Sequence, residues 1–311
     1  MGFLSRMKKR IEERFDEKQG AVIPADVRMI SGCQDSQTSA DVWNVQSFGL
    51  PDPAGRSGGA CTSALLKVLY ADHRKLDDDL TFVEVLDKMR EILSEGEYTQ
   101  IPQLSSSRAM DLELPFHLVS QQEDATDKRR ALLIGINYVG HESGVLSGCH
   151  NDALNMKEYI MDVHGFEEEN ITLLLDDGEH DPPTKENILN AYKKLVEESE
   201  KGDSVFCHYS GHGGSTRDDD RGEEEDGKDE TLIPVDYKTA GIIRDDDLFD
   251  TLVHPMKEGV TLTCLMDCCH SGTILDLPYT FKADGSGNVD MSIDDDFNFD
   301  KLFKKIGEVF D

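Results

Sequence analysis

The sequence predicts an α/β protein built on a mainly parallel sheet with helices on both faces. Three observations carry that prediction. Short apolar runs such as residues 131–136 and 260–266 have the length of core strands, not of helices. From residue 129 onward these runs alternate with amphipathic segments long enough to be helices, which is the pattern of a parallel sheet with helical crossovers. A chain of 311 residues suits one large or two ordinary domains and can bury a substantial core, although only 38% of it is hydrophobic.

Residues 1–19 read as a charged helical lead-in. It has no apolar signal-peptide core, and Gly2 is followed by Arg6 where a myristoylation signal wants Ser or Thr. A small region, residues 20–119, opens with a strand at Asp26–Ser31. A Gly/Pro/Ser-rich loop at residues 48–59 comes next, and helices are expected at 61–71 and 82–93. In the second helix Val83, Leu86, Met89 (or Arg90) and Leu93 recur at helical spacing, and Gly96 stops it. Polar residues 120–128 read as a linker.

The large region, residues 129–282, starts with an apolar strand at 130–136. A helix at 152–163 is expected to be capped by Asn151 or Asp152 and to end at Gly165. Ile171–Leu175 is a second strand, and Lys185–Glu198 is a helix behind Thr184. A strand at 204–209, a helix at 246–253 and a strand at 261–266 complete the series. Residues 283–311 form a tail whose end carries Phe299, Leu302, Phe303, Ile306 and Phe310 at amphipathic-helix spacing. In sheets of this kind ligands bind beyond the carboxyl ends of the strands.

Charge and cysteine content narrow the function. Acidic residues outnumber basic ones 63 to 32, a net charge of −31, which argues against nucleic acid or an anionic membrane surface as partner. No apolar stretch approaches the 18 residues of a membrane span. Seven cysteines, an odd number without a secretory signal, point to a reducing, cytoplasmic setting in which a special cysteine is catalytic, metal-binding or redox-active.

Two strand ends carry unusual sequences. One runs from Val205 to Tyr209 into Ser210-Gly211-His212-Gly213-Gly214, and the other from Leu262 to Met266 into Asp267-Cys268-Cys269-His270-Ser271-Gly272. Each puts a His or Cys beside glycine at the edge where active sites form. Cysteine chemistry needs a thiolate with a nearby acid or base, and glycine lets a substrate backbone approach.

These blocks closely resemble the catalytic blocks of metacaspases, caspase-fold cysteine peptidases that cut after Arg or Lys. The resemblance covers roughly residues 26–282. Ser31-Gly32-Cys33-Gln34-Asp35 and its continuation to Asp41 look like the start of the family's small-subunit region, which here precedes the catalytic region. That permuted order resembles the type III metacaspases of algae. The resemblance implies a caspase-like fold, Cys269 as nucleophile, and His212 as the group that protonates the leaving amine. Backbone amides near Gly213 and Cys269 would hold the oxyanion. It implies a pocket built from Asp152 and Asp267 and lined by Cys149 and Ser210. Two carboxylates there favour a guanidinium or ammonium, so the expected partners are proteins or peptides with Arg or Lys before the scissile bond. A monomer is expected.

Matching family positions also make Asp229, Asp245, Asp246 and Asp276 calcium ligands, with Ca²⁺ as the implied cofactor. The run from Asp218 to Glu230 holds nine carboxylates in 13 residues and reads mostly as a solvated loop. No EF-hand fits, because Asp218-x-Asp220-x-Gly222 lacks the ligand of position 5 and the glycine of position 6. Cys207 and Cys264 each lie five residues before a catalytic candidate. Parallel neighbouring strands would set the two side by side, either as inert core thiols or as a regulatory disulfide.

Two rivals stand beside this reading. Cys207, His208, His212, Cys268, Cys269 and His270 could be zinc ligands, but their spacing fits no standard structural site. A catalytically silent, calcium-binding caspase-like scaffold is the other, against which intact His212 and Cys269 argue. An Asp-specific peptidase is electrostatically wrong for an acidic pocket.

Overall fold

A computed structural model describes residues 22–32, 41–42, 58–70, 80–96, 98, 100–217, 228–268, 271–283, 285, 291–293 and 297. Strand β1 (Asp26–Ser31) is followed by the short strands β2 (Asp41–Val42) and β3 (Gly58–Gly59), helices α1 (Ala60–Tyr70) and α2 (Phe82–Glu95), and strand β4 (Gln103–Ser106). Then come β5 (Arg129–Gly135), α3 (Cys149–His164), β6 (Ile171–Leu175), α4 (Lys185–Glu198) and β7 (Ser204–Ser210). After these follow β8 (Gly213–Arg217), β9 (Lys228–Leu232), α5 (Tyr237–Ala240), β10 (Ile243–Arg244) and α6 (Asp245–Leu248). The last elements are β11 (Thr261–Asp267), β12 (Tyr279–Lys282) and β13 (Ser292–Ile293).

One eight-stranded sheet, ordered β13-β12-β4-β1-β11-β7-β5-β6, organises the molecule. From β1 through β6 every pairing is parallel, and β4, β12 and β13 extend the other side in antiparallel fashion. The central strands β7 and β11 are buried along their whole length, which is why they read as near-continuous apolar runs. Their side chains alternate between two cores. Val205, Cys207 and Tyr209 pack with Ile188 and Tyr192 of α4 on one face. Phe206 faces the other, among Leu65 of α1, Leu86 of α2 and Ile160 of α3. Helices therefore cover both faces, as expected. The register Met29↔Cys264↔Cys207 runs without interruption from the small region into the large one, so both share a single sheet.

Local chemistry explains most element ends. Thr81 and Glu84 form a reciprocal capping box at α2, and Thr184 caps α4 by accepting from the Asn187 amide at 3.2 Å. Gly165, at φ +64°, closes α3 in the left-handed conformation that favours glycine. The start of α3 differs from expectation. Gly148 is its N-cap, without a side-chain cap, and Asp152 lies inside the first turn with its carboxylate turned to other partners. The single helix expected at 246–253 is instead the short α6 followed by a π-helical turn at Phe249–Val253. Strands β4, β12 and β13 and the separate small sheet β10-β9-β8 were not expected. Asp229 and Glu230, which end the acidic run, are buried in β9. The charged lead-in 1–19, most of the acidic run and the C-terminal helix lie outside the described residues.

Candidate active site

The ends of β5, β7 and β11 align at one edge, with Gly135, Ser210 and Asp267 as register neighbours. Beyond Ser210 the chain turns through Gly211 into β8, and His212 sits on that turn. Its backbone N–H donates to the Tyr138 hydroxyl at 2.9 Å, and its ring lies 4.7 Å from the Tyr138 ring at an interplanar angle of 33°. Nε2 is 2.7 Å from the Gly144 carbonyl oxygen. A carbonyl only accepts, so Nε2 carries the proton and Nδ1 is left as the basic nitrogen. Gly213 opens β8 directly after His212, opposite Leu232 of β9.

Cys269 lies outside the described residues, as does His270. The chain on either side is held firmly. Cys268 is buried in the core on the α4 face, and the Ser271 hydroxyl donates to the Cys268 carbonyl at 3.0 Å.

Asp152 and Asp267 are both buried at this edge. Oδ2 of Asp152 accepts from the Ser210 hydroxyl at 2.6 Å and from the Gly59 amide at 2.8 Å. Oδ2 of Asp267 accepts from the Thr62 amide at 2.8 Å, in the first turn of α1, where the helix dipole favours an anion. Both carboxylates converge on Gly59. A Cβ on that residue would overlap Asp267 Oδ2 and lie 3.0 Å from Asp152 Oδ2. Cys149, the first residue of α3, is buried, its amide bonded to Asn137 Oδ1 at 3.0 Å. Beneath Thr62, the buried ring of His208 places Nε2 3.2 Å from the threonine hydroxyl and leaves Nδ1 without a partner. Burial depresses the His208 pKa to about 3, so the ring is neutral.

The four aspartates matched to calcium positions lie on three segments. Asp229 Oδ2 is 2.8 Å from Arg244 Nη1. Asp245, fully buried, accepts from the Glu230 amide at 3.2 Å through Oδ2 and from the Asp246 amide at 2.7 Å through Oδ1. Asp276, at φ +48°, closes a turn by donating its amide to the Thr273 carbonyl, and the Thr273 hydroxyl bonds Glu230 Oε2 at 2.9 Å. The donors are hard carboxylate oxygens, which fit a divalent cation such as Ca²⁺ in chemistry. In this arrangement, however, Arg244 is the positive partner of Asp229. Among the described residues, no three His, Cys, Asp or Glu side chains are grouped to hold a metal ion. That also leaves the zinc reading without a cluster among the described residues.

Cys207 and Cys264 are register partners on adjacent parallel strands, buried in the same core, and both are free thiols. Burial, reinforced by the neighbouring Cys264, pushes the Cys207 thiol well up from its ordinary value.

Several residues of this edge carried no sequence signal. The Gly59 and Thr62 amides meet carboxylates 93 and 205 residues away. Tyr138 and Gly144, which hold His212, follow a strand end in a polar loop. Only the Gly58-Gly59 pair hinted that backbone comes close to something here.

Comparison with known proteins bears on the family of the chain. Residues 129–278 match the family "Metacaspase, peptidase C14 domain", and residues 5–112 match "Caspase domain". Metacaspase III c of Phaeodactylum tricornutum is 60% identical over 307 residues, covering 99% of this chain and 89% of its own length. Metacaspase-1 of Eremothecium gossypii is 52% identical over 168 residues, which is 53% of this chain. Metacaspase-1A of Neurospora crassa is 47% identical over 167 residues, again 53% of this chain. The chain spans 36% of the length of each of these two fungal relatives. The mainly parallel sheet with helices on both faces and the caspase-like region ahead of the metacaspase region fit together, and the chain belongs to the metacaspase family of cysteine-type peptidases.

Proposed function

We propose that this peptidase cleaves protein or peptide substrates after Arg or Lys, with Cys269 as nucleophile and His212 as acid and base. The observation that carries the specificity is the convergence of two buried carboxylates, Asp152 and Asp267, on Gly59 at the strand ends beside His212. A buried carboxylate pair discriminates for a cation and against a P1 Asp by repulsion.

In the proposed reaction the Cys269 thiol loses its proton to Nδ1 of His212, and the sulfur adds to the scissile carbonyl carbon. The oxyanion is met by backbone N–H groups near Gly213 and Cys269. As the C–N bond breaks, His212 returns the proton to the departing amine. Water, deprotonated by the same ring, then hydrolyses the thioester and restores the thiol. The Gly144 carbonyl holds Nε2 throughout, which keeps Nδ1 as the working nitrogen.

Calcium belongs to the same proposal. Asp229, Asp245, Asp246 and Asp276 would hold Ca²⁺, whose charge would offset theirs. So does redox control, in which Cys207 and Cys264 lose two protons and two electrons to a small-molecule disulfide and become bonded across β7 and β11. Their side-by-side register supports it.

The test is cleavage of fluorogenic peptides ending in Arg, Lys or Asp by wild type and Cys269→Ala, with and without millimolar calcium, in reductant. Calcium-dependent cleavage after Arg and Lys only, absent in Cys269→Ala, is expected. Cleavage after Asp, or equal rates in chelator, would remove the pocket or the calcium assignment respectively.

A further inference from the structure

The imidazole of His212 is held by the loop that follows β5, and the loop itself is held from the end of β6. Asp176 lies just beyond β6 with its carboxylate almost buried. Oδ1 accepts from the Asn137 amide at 2.8 Å, and Oδ2 accepts from the Val139 amide at 2.7 Å. The two amides flank Tyr138, so one carboxylate bridges the residue from both sides. Nε2 of His150, in the first turn of α3, completes the set at 2.5 Å from Oδ1. Burial alone would raise the Asp176 pKa, but the His150 bond and the two amides outweigh it and hold the carboxyl below its ordinary value.

Between those amides Tyr138 adopts φ +56°. A bulky side chain is strained in the left-handed region and persists there only where its surroundings impose it. The Asp176 bridge is such an imposition, and its result is specific. The turned backbone carries the Tyr138 ring onto the His212 ring. The Tyr138 hydroxyl donates to the Ile233 carbonyl at 2.7 Å and accepts the His212 amide at 2.9 Å. The same loop supplies Gly144, whose carbonyl meets Nε2 of His212, and it is closed by Leu146 donating to the Asn137 carbonyl at 2.9 Å. The loop thus holds the His212 amide, ring plane and tautomer, while Tyr209 and the Ile233 amide bond its carbonyl, and Asp176 fixes the start of that loop.

We propose that Asp176, oriented by His150, is a positioning residue for the catalytic acid–base group: it clamps the strained backbone at Tyr138, which in turn sets the position and plane of the His212 ring. Asp176 touches neither substrate nor sulfur and acts only through Tyr138. The proposal rests on the reading of His212 as the acid–base group.

The test uses the full chain with an Arg peptide and reads kcat and KM separately. Asp176→Asn offers one amide oxygen and an NH₂ in place of two acceptor oxygens, so one of the flanking amides loses its partner. It is expected to lower kcat by about 10- to 100-fold at nearly constant KM, the size associated with small misplacement of a catalytic group from a distance. His150→Gln retains a donor toward Asp176 and should keep most of kcat, whereas His150→Ala should fall with Asp176→Asn. Tyr138→Phe keeps the ring but loses both hydroxyl bonds and should lie between. Unchanged kcat in Asp176→Asn, or equal losses in His150→Gln and His150→Ala, would overturn the clamp.

A second readout covers a variant that folds poorly and a wild type that cleaves nothing. In ¹³C-histidine-labelled protein the His212 ring resonances, assigned by His212→Gln, should shift in Tyr138→Phe and His150→Ala but not in His150→Gln. Resonances that stay in place in both variants would refute the clamp. No cleavage of the Arg peptide by wild type would refute the proposed function alone.

Discussion

At the scale of single residues, two neutral histidines and one glycine carry distinct consequences. His208 and His164 are buried, and burial depresses their pKa values to about 3 and about 4; Arg129 and His117 add to the effect at His164. A base whose pKa is lowered by folding gives up stability as pH falls below its unfolded value of 6.5. The loss continues until the pH reaches the folded values, because the unfolded chain binds the proton first. Each histidine therefore removes on the order of 2–3 kcal/mol by pH 4.5. Denaturant titrations between pH 7.5 and 4.5 should show a steep fall in wild type and a shallower one in His208→Gln; equal slopes would contradict the account. At Gly59 a methyl group would drive into the Asp267 carboxylate. Gly59→Ala is expected to raise KM for Arg peptides by roughly 5- to 150-fold, as overpacking of about 1–3 kcal/mol falls on the wall of the proposed pocket. Asp267→Asn should lower kcat/KM for the same peptides by roughly 100-fold, because a buried cation would lose its charged partner.

At the scale of elements, what could be read from the sequence follows from how much of each element's stability is local. Strands β1 and β6 and helix α4 were bounded to the residue, because apolar runs and a Thr184 cap are written into short windows. Strand β4 was invisible for the opposite reason. Gln103, Ser105 and Ser106 look like loop residues, and they are buried only because the Val27 and Gly272 carbonyls, far away in the chain, accept their protons. The catalytic strand ends were legible as motifs, whereas the amides of Gly59 and Thr62 that hold the carboxylates are a product of tertiary packing. Strand pairing also frames the thiol prediction. Cys207 and Cys264 are direct neighbours across β7 and β11, so Cys207→Ser should abolish any dependence of activity on a titration of oxidised against reduced glutathione, while leaving the reduced rate within about twofold. The same redox response in variant and wild type would show the thiols to be inert core residues.

At the scale of the whole molecule, the small region is a structural part of the catalytic one and not an appendage. Strand β1 lies between β11 and β4, and α1 and α2 cover the face of the sheet that carries Phe206 and Leu265. Removing residues 1–119 would expose the backbone edge of β11 together with that apolar face. Residues 120–311 expressed alone are therefore expected to aggregate, and co-expression with residues 1–119 should restore soluble, active protein. A soluble, cooperatively melting 120–311 fragment would show that the large region folds by itself. The one sheet also joins two sources of the proposed pocket, since Gly59 and Thr62 come from the first region and Asp152 and Asp267 from the second.

The pairing of β1 with β11 has a further consequence for the timing of biosynthesis. Asp26 must wait for Thr261 before its strand has a parallel neighbour, and at roughly 5–20 residues per second that delay is on the order of tens of seconds. During the wait the nascent chain holds Gly59 and then Asp152, but neither Asp267 nor Cys269. A ribosome-bound chain therefore lacks part of the proposed pocket and the proposed nucleophile until nearly all of the sheet has been made.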